Sequence, residues 1–210
     1  MTNLASEVRE HGVGYADAMS SPKFIIVSGP NGSGKSTSSA ALLPDSVPYI
    51  NADEIAKALP NQAETNRDME ASRLLLRRWD ELAAQGRSFA IETTLSSRSL
   101  ASRIHGLGAK GYEFHLLYFW LESVDLAVAR VAARVQQGGH NIPEDTIRRR
   151  YVGGLRNLFG LYMPLANTWE VYNNTAPGMA RKVAEGSRDG RISIDDFETW
   201  NRIKLATEQR

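Results

Sequence analysis

Residues 29–36, Gly29-Pro30-Asn31-Gly32-Ser33-Gly34-Lys35-Ser36, match Gly-x-x-x-x-Gly-Lys-Ser/Thr at every fixed position. The glycines let consecutive backbone N–H groups turn inward around an anion, and the helix that follows adds the positive end of its dipole. The flanks agree with this reading. Phe24-Ile25-Ile26-Val27 is an apolar, largely β-branched run that reads as a buried strand, and Lys35-Ser36-Thr37 opens a helix that stops before Pro44. The pattern predicts a nucleoside triphosphate cradled by residues Gly29 to Thr37. Lys35 would reach the β- and γ-phosphates, and the Ser36 hydroxyl would ligate Mg²⁺.

The rest of the chain alternates strand and helix. Strands are expected at 47–50, 88–92, 113–120, around 169–172 and around 182–185, and helices at 53–59, 66–85, 97–110, 124–137, 143–159 and 195–206. Thr175 to Arg191, with Pro177-Gly178 and Asp189-Gly190, reads as the loosest stretch. Such alternation implies βαβ units and a mostly parallel sheet with helices on both faces, a three-layer α/β/α fold of the P-loop NTPase type. Residues 1–22 read as an N-terminal extension and 23–210 as one domain, with a helical arginine-bearing lid at about 124–160.

Composition removes several classes of function. The 210 residues contain no cysteine, which excludes thiolate metal sites, thiol nucleophiles and disulfides. Twenty-five basic residues against 24 acidic ones leave a net charge of +1, which argues against a nucleic-acid coat or a polybasic membrane anchor. No segment approaches the length of apolar sequence that spans a membrane, and the N-terminus lacks the pattern of a signal peptide, so a cytoplasmic location is expected.

A phosphate loop alone does not separate kinases from motors, GTPases and transporters. Here no four-residue apolar strand ends in Asp-Glu, no Asn-Lys-x-Asp guanine reader is present, and Leu-Ser-Gly-Gly is missing. A small phosphotransferase remains. Its acceptor hydroxyl needs a carboxylate to take the proton. Asp53 stands at the carboxyl end of the second expected strand, the edge where α/β sheets place ligands, although Asp there can also simply cap a helix. Glu92, Thr93 and Thr94 end the neighbouring strand, where they can orient the acceptor or hold the metal's water shell; the plainer reading is a helix cap by Thr94 or Ser96.

Phosphoryl transfer also needs positive charge near the migrating group. Val124, Val128, Val131 and Val135 share one helical face, with Arg130 and Arg134 stacked on its flank. A Gly138-Gly139 turn leads to Pro143 and a second helix, where Ile147, Tyr151, Gly154, Leu155 and Leu158 form a stripe bordered by Arg148 and Arg150. Two such helices can close over phosphates or be two solvated basic faces. Arg134 and Arg150 lie nearest the seam.

These pieces together resemble the zeta-toxin-like P-loop kinases. The matching segments are Gly29 to Thr37, Asn51-Ala52-Asp53, Ile91-Glu92-Thr93-Thr94, Arg130 to Pro143, Arg148 to Tyr151, and Tyr162-Met163-Pro164-Leu165 through Tyr172-Asn173-Asn174. The resemblance implies ATP and Mg²⁺ as cofactors and phosphorylation of a hydroxyl, in the best-known members on a UDP-linked amino sugar. By position it makes Asp53 the base, Lys35 the phosphate clamp and the lid arginines the charge stabilisers. It also implies a small antitoxin protein as partner. Asn173-Asn174-Thr175 resembles the place where related kinases hold adenine. Two other readings are a kinase of a nucleoside or antibiotic, and a nucleotide-gated module read by a protein partner.

Overall fold

The computed structural model describes residues 21–60 and 64–208; the first twenty residues of the expected N-terminal extension lie outside them. Seven strands form one sheet: β1 (Lys23–Ser28), β2 (Tyr49–Ile50), β3 (Phe89–Thr93), β4 (Glu113–Trp120), β5 (Thr168–Asn173), β6 (Arg181–Ser187) and β7 (Ile192–Ile194). Their spatial order is β2-β3-β1-β4-β5-β6-β7. The first five in that order run parallel, and β6 and β7 add on antiparallel. β7 is a correction to the sequence reading, which treated residues up to Arg191 as loose and placed no strand after 185. A three-residue strand leaves too short an apolar pattern to stand out.

Helices α1 (Lys35–Leu42), α2 (Ala52–Ala58), α3 (Glu64–Ala84), α4 (Leu100–Gly108), α5 (Val124–Gln136), α6 (Glu144–Asn157), the short α7 (Met163–Leu165) and α8 (Phe197–Glu208) connect and cover the strands. A π-helical turn, Leu158–Tyr162, joins α6 to α7. The expectation of one helix over 143–159 therefore ends in a wider turn. That turn sets Tyr162 against the sheet's carboxyl edge, with its hydroxyl donating to Ser97 O at 2.5 Å.

Alternation along β1 sorts its side chains between two cores. Phe24 and Ile26 join the main cluster with Trp79 and Leu82 of α3, Ile104 and Leu107 of α4, and Trp200 and Ile203 of α8. Phe24 is the hub of this cluster, its ring 4.3 Å from Trp79 and 4.9 Å from Phe89. Ile25 and Val27 face the other way, against Ala90, Leu117 and Phe119, with Leu42, Leu43 and Val47 closing over them. Each fully buried side chain of this size contributes roughly 1.5–3 kcal/mol. β1 lies between β3 and β4, and the chain winds to one side of it and then to the other. Its carboxyl end is thus the topological switch point, where a crevice opens above the sheet.

Candidate active site

The loop after β1 fills that crevice. Gly29 has φ +141°, and a Cβ there would lie 2.3 Å from Phe119 O, so the loop's first residue must be glycine. Gly32 (φ +79°) packs under α5, less tightly, with Arg130 Cβ and Ala127 O each 3.0 Å from a Cβ built on it. Gly34 caps α1 in a left-handed conformation with no side chain on the helix's first N–H groups. Those donors face the loop. Asn31 Oδ1 and Ser33 Oγ are buried in it without hydrogen-bond partners, and Thr37 is exposed at the helix start. Unpaired buried polar atoms around an open helix N-terminus fit a bound polyphosphate.

Lys35, only 6% exposed, donates from Nζ to Pro30 O at 3.0 Å and lies 3.7 Å from Glu92 Oε1. Burial pulls its pKa below the usual lysine value, and Glu92 and Asp53 oppose that pull. Glu92 is the centre of the polar network. Its Oε2 accepts from Ser36 Oγ at 2.7 Å, Tyr49 Oη at 2.6 Å and Asn51 Nδ2 at 2.9 Å. Burial, reinforced by the Glu92 charge, raises the Tyr49 pKa and keeps it a proton donor. The Ser36 hydroxyl and the Glu92 carboxylate, 2.7 Å apart, are the hard oxygen donors that Mg²⁺ prefers, so these residues fit the ion the phosphate loop implies.

Asn51 settles the local role of Asp53. The Asn51 side chain caps α2 by accepting from Asp53 N at 2.8 Å, so Asp53 sits inside the first turn and is not the cap. Among the described residues no hydrogen bond or ion pair reaches its carboxylate, while its charge acts on Lys35 and Tyr49. Thr93 and Thr94 do not cap a helix either. Thr93 Oγ1 accepts from Leu95 N at 3.2 Å, and Thr94 Oγ1 shares a 2.9 Å bond with Ser96 Oγ. Leu95, fully buried, has φ +58°, a left-handed conformation that a leucine adopts only when its surroundings enforce it.

The arginine hairpin is tied to both sides of the crevice. Its helices share a small core of Leu121, Ala127, Val131, Ile142, Ile147 and Tyr151. Arg130 is committed to backbone: it donates to Asn174 O and Thr175 O, each at 2.8 Å, and to Gly32 O at 3.4 Å. Arg134 donates to His140 O at 3.1 Å and keeps its Nε buried without a partner; its charge is felt at Lys35. Arg148 bridges Asp125 and Glu144 on the outer surface. Arg150 is half-buried and makes no ion pair or hydrogen bond among the described residues. It lies one turn before Gly154, where a Cβ would come within 2.3 Å of Thr94 O. Asn157 Nδ2 then donates to Leu95 O at 2.8 Å and Ser96 O at 3.2 Å.

The family model for zeta toxin matches residues 7–162. The chain belongs to the zeta toxin family. An uncharacterised protein of Haemophilus influenzae is 35% identical over 130 residues, spanning 61% of this chain and 92% of its own length. Solved structures show the same fold at low identity. AvrRxo1-ORF1 in its complex with ORF2 and ATP covers 98% of this chain and 68% of its own, with a TM-score of 0.71 and 15% identity. A chain of the PezAT toxin–antitoxin system of Streptococcus pneumoniae covers 98% and 86%, with a TM-score of 0.62 and 16% identity.

In this zeta toxin family member, Glu92 lies 3.7 Å from Lys35 of the P-loop, and the charges of Asp53 and Arg134 also act on Lys35, whereas no such contact is seen for Arg150 among the described residues. Arg130 stands apart, because its guanidinium holds carbonyls of the P-loop and of residues 174–175. Asn174 also braces the P-loop: its Nδ2 donates to Ser33 O at 2.7 Å. Sequence reasoning missed Tyr49 and Asn157. Tyr49 lies in a strand of two residues, too short for a periodic signal, and Asn157 reads as one more polar position near a helix end.

Proposed function

We propose that this chain is an ATP-dependent kinase that transfers the γ-phosphoryl group to a hydroxyl of a small molecule, with a UDP-linked amino sugar as the acceptor class. The observation that carries this reading is the Asp53 carboxylate. It has no partner among the described residues, yet it stands within electrostatic reach of Lys35 beside the P-loop. The acceptor class rests on family membership.

The chemistry follows from the placement of these groups. The acceptor oxygen attacks the γ-phosphorus, its proton passes to Asp53, and the bond to the bridging oxygen of the departing ADP breaks. The P-loop N–H groups and Lys35 hold the β- and γ-phosphates. The negative charge of a polyphosphate would favour protonated Lys35 and offset the effect of its burial. Ser36 and Glu92 would hold Mg²⁺, which neutralises phosphate charge when bound. Tyr49 and Asn51 fix the Glu92 carboxylate. Arg134 and Arg150 supply positive charge from the donor and acceptor sides, and Arg130 braces the loops. The 124–160 hairpin thus bridges the P-loop, through Arg130, and the loop after β3, through Asn157.

The test is mass spectrometry of products after incubation with ATP, Mg²⁺ and a panel of UDP-sugars, nucleosides and aminoglycosides. One acceptor should gain a single phosphoryl group. Asp53→Asn should lower that transfer about 10²–10⁴-fold while ATP binding persists. Full transfer by Asp53→Asn would remove Asp53 as base, and phosphorylation of a nucleoside alone would replace the acceptor class. The toxin–antitoxin neighbour motivates a protein inhibitor as partner. Such a partner should form a stable complex that blocks ATP binding; a complex that leaves ATP binding intact would sink this role.

A further inference from the structure

The free edge of β7 has an internal symmetry that the kinase reading does not use. β7 is the outermost strand on its side of the sheet. Arg191 O accepts from Ser187 N, and Asp195 N donates to Val183 O, so residues 191 and 195 turn backbone groups inward to β6. Direction alternates along a strand, so Ser193 also faces inward. The N–H and C=O groups of Ile192 and Ile194 therefore point out of the sheet.

The side chains here are apolar and uncovered. Ile192 is 60% exposed, Ile194 38% and Phe197 66%. Ile192 lies opposite Gly186, which supports the Trp169 ring, and Ile194 lies opposite Ala184 of the main core. The two isoleucines continue the core face of the sheet beyond the cover that α8 provides.

The segment Arg191-Ile192-Ser193-Ile194-Asp195 has the same apolar pattern from either end and opposite charges at its two ends. We propose that β7 is a homodimer interface, in which a second copy of this chain pairs with it antiparallel about a two-fold axis at Ser193. In that register Ile192 of each copy faces Ile194 of the other. The outward backbone groups of these residues exchange N–H···O=C bonds. Arg191 faces Asp195 at both ends of the pairing. Moving the axis to Ile192 sets Ile194 opposite Gly190 and Arg191 opposite Ser193, so both complementarities vanish.

Edge strands are commonly kept short and flanked by charge, which discourages pairing. Opposite charges placed symmetrically do the reverse for self-pairing, because each meets its complement. The current neighbours of these groups leave them able to exchange. Arg191 pairs with Asp189 at 2.8 Å in an exposed turn, and Asp195 acts on Lys182. A two-fold axis also makes the contact closed and isologous, so it ends at a dimer and does not grow into a fibre.

Sedimentation velocity on the full chain over a concentration series tests this. The mass should rise toward twice the 23.2 kDa of one chain. Ile194→Lys should hold it at the monomer. Arg191→Asp and Asp195→Arg should each weaken association roughly tenfold, and the double reversal should restore it. Circular dichroism melts establish that each variant folds. A wild-type monomer at every concentration would overturn the proposal. So would a dimer indifferent to Ile194→Lys, or charge reversals that fail to rescue one another.

Discussion

Burial lowers the pKa of both Lys35 and His115, but the two lie in different electrostatic company. Lys35 has Glu92 and Asp53 beside it, and in the proposed complex it gains phosphates. His115, on β4, has Nδ1 2.6 Å from Thr168 Oγ1, its Nε2 buried without a hydrogen bond, and Glu113 Oε2 3.6 Å away. After burial, the charge of Lys23 lowers its pKa further, while Glu113 acts against both. The unfolded chain takes up this proton near 6.5, before the folded chain does. His115 thus leaves stability intact above that pH, and stability is lost as pH falls through the window below it. Thermal melts from about pH 8 to about pH 5 should show a steeper acid decline for the wild type than for His115→Gln. Parallel declines would place the acid sensitivity elsewhere.

At the scale of elements, the site is held by contacts between parts far apart in sequence. Asn157 of α6 satisfies two carbonyls of the loop after β3 and holds Leu95 in its left-handed conformation. Asn157→Ala leaves Leu95 O and Ser96 O unpaired and should cost about 1–3 kcal/mol in urea unfolding. ATP binding should survive in that variant, because the side-chain bonds of Asn157 go to the loop after β3 and not to the P-loop. Arg130 is the corresponding brace on the donor side, joining α5 to the P-loop and to residues 174–175. Arg130→Met should weaken ATP binding measured by calorimetry, with a smaller effect on stability than Asn157→Ala. Unchanged ATP affinity would show that the P-loop keeps its shape without this brace.

For the whole molecule, α8 returns from the antiparallel end of the sheet to close the main core. Trp200 stacks on Trp169 of β5 with centroids 5.6 Å apart and meets Phe159 of the π-helical turn at 5.5 Å. A single side chain thus joins the last helix, the middle of the sheet and the turn that carries Tyr162. Trp200→Ala should cost roughly 3–5 kcal/mol and lower the melting temperature as one cooperative transition. A split transition would show that the antiparallel strands and α8 unfold apart from the parallel sheet.

The glycine–lysine–serine spacing, the strand run Phe24 to Val27 and the alternation of strand and helix determined the fold class and the location of the phosphate loop. These are local signals, because each depends on neighbours within one or two turns of chain. Asp53 and Glu92 were legible for the same reason: each lies in a short motif, Asp53 in the first turn of the helix after β2 and Glu92 near the end of β3. What the sequence left open was partnership. Asp53 could serve as a base or cap its helix, and Arg130 and Arg134 stacked on one helix flank with no acceptor legible for either. The tertiary structure decided both, giving the cap to Asn51 and turning Arg130 to the carbonyls of Gly32, Asn174 and Thr175. Those acceptors lie 44 to 98 residues away, a separation over which periodicity and propensity carry no information.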